Sequence, residues 1–276
     1  MTIADTTLPS GTRLSFREVG RGRPVSLVQI HGLGTGHRNY DLLTPHLGKK
    51  LHVLDIDLPG YGRSDPGPYP PTIAGFAEHA AQFIESADLA PVHVHGTSMG
   101  GCVAMMLASR RPELVDRLVV TCSFARLDRA AQVMFATWRE AANYGGIPAL
   151  ARVTSQQGFS RSFWDRPESR DTQDAFVAAL EGTSPQGFLR DLGAIESLDL
   201  SVEAADIAAP TLLLGADEDI ITPMKAAPSG RGMLDLHALI PGSVLKTFPE
   251  CGHFISIERP EDTAAQIIDF LLAPRP

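Results

Sequence analysis

Six short segments of the chain are predominantly apolar and rich in β-branched residues: Val25 to Ile30, His52 to Ile56, Val92 to His95, Leu118 to Thr121, Thr211 to Leu214 and Val244 to Phe248. Runs of this kind, without sustained alternation of apolar and polar positions, fit strands buried on both faces of a parallel sheet. Between them, apolar positions recur at helical spacing over Ile73 to Ala87, Gly101 to Arg110 and Thr263 to Leu272. Strand alternating with helix predicts an α/β fold with a doubly wound, mostly parallel sheet, whose ligands bind outside the carboxyl ends of the strands.

The alternation stops between about Leu127 and Ser201. Here the pattern predicts several helices separated at Gly145-Gly146, Arg166-Pro167 and Ser184-Pro185. The chain therefore divides into a core, residues 1–126 and 202–276, and a helical insertion, residues 127–201. The insertion's aromatic residues (Phe135, Trp138, Phe159, Phe163, Trp164) read first as its own packing core.

With 43% hydrophobic and 20% charged residues, the chain has the make-up of an ordinary globular protein, which excludes a disordered or fibrous one. A net charge of -8 disfavours nucleic acid and anionic membranes as partners and leaves a small-molecule substrate as the expectation. Three cysteines are too few for a secreted disulfide scaffold. The first residues lack a basic start followed by an apolar run, and no segment approaches 18 uninterrupted apolar residues. A cytoplasmic protein without a membrane span is expected; self-association is not readable from these patterns.

The candidate chemistry begins at Val92-His93-Val94-His95-Gly96-Thr97-Ser98-Met99-Gly100-Gly101, a strand running through Gly-x-Ser-x-Gly into a helix of small and apolar residues. A serine at such a turn needs a strained backbone. Flanking glycines let strand and helix come close enough for its hydroxyl to stand above the sheet. The bland alternative, an accidental glycine-serine turn, does not account for the strand before it and the helix after it. Ser98 is thus the candidate nucleophile.

A serine hydroxyl is a weak nucleophile, so it needs a base within hydrogen-bond reach and a carboxylate to hold that base in the right tautomer. His253, in Pro249-Glu-Cys-Gly-His-Phe254 after the last strand, is the candidate base. Among the other histidines, His93 and His95 read as packed within a strand, and His37, His46, His52, His79 and His237 as surface or helix-end residues. For the acid, Asp217 and Asp219 compete in the loop after Thr211-Leu-Leu-Leu-Gly215. Thr222-Pro223 reads as the cap and first position of a following helix, placing Asp219 just before it. Asp219 is the first choice and Asp217 the alternative.

A tetrahedral intermediate also needs backbone N–H donors for its oxyanion. One is expected from Met99, the residue after the nucleophile, and the second from Leu33 in His31-Gly-Leu-Gly34. His31 is expected to hold that loop by hydrogen bonding rather than to carry protons. Met134 and Trp138, four apart on one helical face, join Ile220 and Ile221 as the expected apolar substrate pocket. His93-x-His95 has a metal-like spacing, but its place inside a strand favours packing, so neither metal nor organic cofactor is expected.

Taken in order, His31-Gly-Leu-Gly, Asp57-Leu-Pro-Gly-Tyr-Gly-Arg-Ser64, Gly96-Thr-Ser-Met-Gly-Gly101, Asp219-Ile-Ile-Thr-Pro223 and Cys251-Gly-His-Phe254 resemble the α/β-hydrolase superfamily. The resemblance covers nearly the whole chain outside the insertion. It is to the branch of small esterases, enol-lactonases, cofactor-free perhydrolases and carbon–carbon bond hydrolases. It implies that residues 127–201 form a cap over the site. In one departure from the family pattern, Gly215 precedes Asp219 by one residue more than is usual. A serine at the elbow sets the chain apart from epoxide hydrolases and haloalkane dehalogenases, which use an aspartate there. Carbon–carbon hydrolases usually carry Pro-Gly after the His-Gly-x-Gly loop and a tryptophan after the histidine, where this chain has Thr35-Gly36 and Phe254. The resemblance therefore implies hydrolysis of a carboxylic ester or lactone through an acyl-enzyme, ahead of carbon–carbon cleavage or perhydrolysis. A non-catalytic receptor on this fold is the reading from another class; such proteins commonly lose a member of the triad.

Overall fold

The computed structural model describes residues 1–180 and 183–274. Residues 181 and 182 of the expected insertion, and the last two of the expected core, lie outside the described residues. Among the described residues eight strands form one sheet: β1 (Thr2–Thr7), β2 (Arg13–Val19), β3 (Ser26–Ile30), β4 (His52–Ile56), β5 (Val92–Thr97), β6 (Val115–Thr121), β7 (Thr211–Ala216) and β8 (Val244–Phe248). Their order is β1-β2-β4-β3-β5-β6-β7-β8, with β3 to β8 parallel and β1 and β2 antiparallel. From β3 the chain crosses to β4 on one side and then to β5 on the other. The loops that follow β3 and β5 consequently part at the switch point, where this architecture opens a crevice.

The helices are α1 (Thr44–Leu47), α2 (Ile73–Ser86), α3 (Met99–Arg110), α4 (Arg129–Gly158), α5 (Arg161–Trp164), α6 (Ser169–Leu180), α7 (Pro185–Glu196), α8 (Ser201–Ala205), α9 (Met233–Leu239), α10 (Ile255–Glu258) and α11 (Pro260–Leu272). The strand interior shows the period of two that a sheet covered on both faces requires. Val28, Ile30, Leu54, Leu118, Val120 and Leu213 enter one buried cluster with α2, α3 and the helical cap. Their neighbours Leu27, Val53, Val119, Leu212 and Leu214 enter another, with Leu47 and with Ile267 and Leu271 of α11.

The hairpin β1–β2 was not among the expected strands. Its polar content hides it: Arg17, in the middle of β2, is buried at 3% exposure and held by Asp55 of β4 (Nε–Oδ2 2.7 Å) and by Asp41. The helix expected to start at Pro223 is absent too. Asp219 instead accepts from the Ile221 and Thr222 N–H groups, folding residues 217–223 into turns, and the next helix is α9. His79, read from sequence as a surface or helix-end residue, is buried on α2 with Nδ1 donating to Gly75 O (2.8 Å). Among the described residues no helix is long and apolar enough to cross a membrane.

The insertion breaks where glycine and proline stand. α4 kinks at Gly146 (φ 64°), and Ser184 caps α7 with Pro185 in its first turn. The insertion packs against the core through Phe135, Trp138, Phe159, Leu180 and Phe188, all part of the cluster that also contains α3.

Candidate active site

Ser98 sits between β5 and α3 with φ 56° and ψ -121°, a conformation that costs a non-glycine residue energy and persists only when its surroundings impose it. The surroundings are tight. A β-carbon on Gly96 would collide with the Gly100 carbonyl, and one on Gly100 with the carbonyl of Ile30. The carbonyl of Ser98 is held by Gly101 N (2.9 Å) and by Ser123 Oγ (2.8 Å), and its N–H by Thr121 O (2.9 Å). Because Ser98 is the N-cap of α3, the N–H of Met99 is among the helix's first, which have no partner within the helix.

The loop after β3 passes directly beside this turn: a β-carbon on Gly32 would stand 3.3 Å from Ser98 Cβ. His31 fastens the loop. Its Nε2 accepts from Leu58 N (3.0 Å), so Nδ1 carries the proton and donates to Gly32 O (2.7 Å). Complete burial lowers its pKa, which keeps the ring neutral. Beneath the elbow His95 is likewise neutral, lying between Gln29 Nε2 (2.8 Å) and Thr121 Oγ1 (2.9 Å), with a pKa that burial brings down to about 3.

His253 and Asp219 are brought together, with His253 Nδ1 donating to Asp219 Oδ2 at 2.9 Å and both groups buried. Asp219 also accepts from Ile221 N (2.8 Å), Thr222 N (2.9 Å) and Thr222 Oγ1 (2.7 Å). Burial alone would raise its pKa, but the adjacent His253 and the Thr222 bonds outweigh it and hold the carboxyl below its ordinary value. Asp217 is exposed in the same turn and reaches no histidine; its N–H bonds Phe248 O. Ser98 and His253 face one cavity, lined also by Leu33, Thr35, Asn39, Trp138, Phe176 and Ile221. A hydroxyl and an imidazole backed by a buried carboxylate, facing one cavity beside the first N–H of a helix, can perform acyl transfer.

Of the four residues expected in the substrate pocket, two line the cavity at Ser98. Trp138 lines the cavity, its ring stacked on Phe135 and its Nε1 donating to Gln157 Oε1 (2.6 Å), and Ile221 lines it from the acid loop. Met134 packs partly buried against the core cluster without lining the cavity, because Phe135 shares the inward side of α4 with Trp138. Ile220 is 59% exposed and borders a separate surface groove with Arg161 and Trp164; the turn around Asp219 points it outward while Ile221 goes in.

Three features were missed from sequence. Cys122, directly after β6, has φ 44° and is buried beside Asp219; burial foremost, and then the Asp219 charge, raise its thiol pKa well above the ordinary value. Cys122, Asp219 and His253 form the one group of three metal-capable side chains among the described residues, their ligand atoms within 4.8 Å of one another. The Asp219 oxygens and His253 Nδ1 are already spent on each other and on Thr222, so this donor set fits a hydrogen-bonded pair better than a metal. Second, Glu258 accepts from Gly252 N (3.1 Å), beside His253, and from Ser160 N (3.0 Å) and Oγ (2.6 Å) in the cap. Third, Glu218, beside Asp219, accepts from Arg161 N (2.8 Å) and Ser162 Oγ (3.2 Å). The only trace of the last two in the sequence is acidic residues placed close to the acid and the base.

Comparison with known proteins agrees with this architecture. The family described as alpha/beta hydrolase fold matches residues 25–260. A 2-hydroxy-6-oxo-2,4-heptadienoate hydrolase from Pseudomonas putida is 27% identical over 98% of this chain and 97% of its own. A pimeloyl-[acyl-carrier protein] methyl ester esterase from Chromobacterium violaceum is 27% identical over 91% and 95%. The crystal structure of the enol-lactonase from Burkholderia xenovorans LB400 superposes with a TM-score of 0.86 at 23% identity, over 98% of this chain and all of that one, and so shares the fold. With the fold and the family match in agreement, the chain belongs to the alpha/beta hydrolase fold family.

Proposed function

We propose that the protein is a serine hydrolase that cleaves a small carboxylic ester or (enol-)lactone through an acyl-enzyme on Ser98. The observation that carries this reading is the buried Asp219–His253 pair opening on the same cavity as a serine held at a strained strand-to-helix turn. In the first step Ser98 Oγ attacks the substrate carbonyl while His253 Nε2 takes its proton. Asp219 on Nδ1 fixes the tautomer and stabilises the imidazolium. The N–H groups of Leu33 and Met99 receive the oxyanion. His253 then returns the proton to the leaving oxygen, and water, activated by the same imidazole, releases the acid. Residues 127–201 act as the cap that shapes the site. Three buried, unpaired cysteines fit a reducing cytoplasm.

Carbon–carbon cleavage is the second reading, since relatives named as dienoate and dienoic acid hydrolases align with nearly the whole chain. Such acids carry a carboxylate, which a cation in the site would stabilise. Among the described residues the cavity at Ser98 is lined by no lysine or arginine, which favours a neutral ester or lactone. A panel of short esters, enol-lactones and dienones tests the choice, with products identified by mass spectrometry. Ester or lactone cleavage that falls by about 10⁴ or more in Ser98→Ala is the expected result. Dienone turnover without ester turnover would reverse the choice.

A further inference from the structure

The cavity at Ser98 is small. Its volume of about 40 Å³, walled by Trp138, Phe176, Leu180, Phe188 and Ile221, leaves room for roughly three water-sized groups. A second, larger cavity of about 250 Å³ adjoins it, between one face of α6 and the segment that carries Thr35, Asn39 and Leu42. The face of α6 is built from Thr172, Ala175, Phe176 and Ala179, the i, i+3, i+4, i+7 set that shares one side of a helix. Thr35, Asn39 and Phe176 line both cavities, so the two lie side by side.

From this shape, and resting on Ser98 as the nucleophile, we propose that the substrate is a short-chain ester of a neutral, ring-sized apolar alcohol. The acyl group occupies the inner chamber, and the alcohol lies in the outer cleft against α6. Size gives the first argument. An apolar cavity of about 150 Å³ takes up benzene, so the outer cleft has room for a ring and a linker while the inner one holds an acetyl-sized group. The order of events gives the orientation. When the Ser98 Oγ–carbon bond forms and the carbon–alkoxy bond breaks, the proton passes from Ser98 through His253 to the departing alkoxide. The alcohol must then leave while the acyl group stays bonded to Ser98, so it belongs in the outer part. Charge gives the third argument. Arg38 lines the cleft together with two carboxylates, Asp171 and Asp41, the latter also paired with Arg17, so these four charges cancel and the cleft presents no net positive charge to an anionic group. Ala175 and Ala179 are the specificity-determining positions, because their small side chains leave the space that the alcohol fills.

Benzyl acetate and methyl phenylacetate test this directly. They are isomers with leaving alcohols of nearly equal acidity, and differ in which side of the ester carries the ring. The expected result is a kcat/KM for benzyl acetate roughly 10-fold or more above that for methyl phenylacetate. Ala179→Phe should lower the ratio of benzyl acetate to ethyl acetate turnover by about 10-fold, and Ala175→Leu, at an exposed position, should lower it in the same direction should Ala179→Phe fold poorly. Labelling of Ser98 by a fluorophosphonate separates the two claims. A labelled enzyme that prefers methyl phenylacetate, hydrolyses neither ester, or keeps its ratio in both variants overturns the assignment of the cleft alone. An unlabelled Ser98 overturns the mechanism beneath it.

Discussion

The helical insertion meets the core in two different ways. On one side, the segment from Gly158 to Phe163 is bound by polar groups to the loops that carry His253 and Asp219. His253 N donates to Gly158 O (2.7 Å), Glu258 clasps Ser160, Glu218 clasps Arg161 and Ser162, and the Arg166 guanidinium reaches Glu258 O (3.1 Å). On the other side, α6 and α7 meet the loop after β3 mainly through apolar side chains. Leu180 and Phe188 close on Gly34, where a β-carbon would collide with Leu180, and Thr183 Oγ1 adds a bond to Gly34 O. The difference teaches where the fold needs accuracy. Hydrogen bonds with defined directions hold the Asp219 and His253 loops, and non-directional packing surrounds the cavity at Ser98.

The comparison breaks most visibly at the acid. Asp219→Asn keeps the shape but leaves the imidazole in the wrong tautomer, and kcat/KM should fall by about 10³ to 10⁴, while Asp217→Asn should stay close to wild type. The reverse result in steady-state kinetics would move the acid to Asp217.

Glu258→Ala tests the polar side one layer out. It removes the acceptor of the Gly252 and Ser160 N–H groups, so the His253 loop should lose its seat and kcat should drop roughly 10- to 100-fold. Because the defect lies in proton transfer, benzyl acetate and ethyl acetate should suffer alike. A change in their ratio instead would show that Glu258 shapes the substrate cavity.

Trp138→Ala tests the apolar side and should do the opposite. Enlarging the inner chamber should raise turnover of bulkier acyl groups relative to acetate by up to about 10-fold. An unchanged ratio together with a lowered melting temperature would make Trp138 purely a packing residue of the cap.

The smallest expected effect lies outside both sides, in the sheet beneath the elbow. His95 stays neutral in the fold down to about pH 3, whereas an unfolded histidine takes a proton near pH 6.5. Between those values the unfolded state binds more protons, so wild-type stability falls as pH drops through the window. The stability gap between wild type and His95→Gln should shrink by about 1.4 kcal/mol between pH 7.5 and 5.5. A gap independent of pH in denaturant titrations would mean that His95 titrates alike in both states.

What could be read from sequence divides along the same physical line. The parallel strands β3 to β7 are buried on both faces, so their apolar runs were plain. The bounds of β4 and β8 agree, while β5 and β6 run longer because Gly96 and Thr97 at one end of β5, and Asp116 and Arg117 near the start of β6, break the apolar run. β1 and β2 escaped because Arg17 is buried by pairing with Asp55, an arrangement that only tertiary contact reveals. Ser98, Asp219 and His253 could be picked out as candidates because each lies in a short local motif after a strand. Glu258, Glu218 and Cys122 were not, because their part depends on a cap more than fifty residues away in sequence or on a neighbouring strand. Met134 was misplaced for a related reason: spacing gives a helix's faces but not which one the core takes.

The central claim, that Ser98 is a nucleophile activated by the Asp219–His253 pair, is tested most directly by intact-protein mass spectrometry after exposure to a fluorophosphonate. The account predicts one phosphonyl adduct, mapped to Ser98, in the wild type and none in Ser98→Ala or in folded His253→Ala. Labelling that is absent from the wild type, that maps to another serine, or that is as fast in His253→Ala would contradict it.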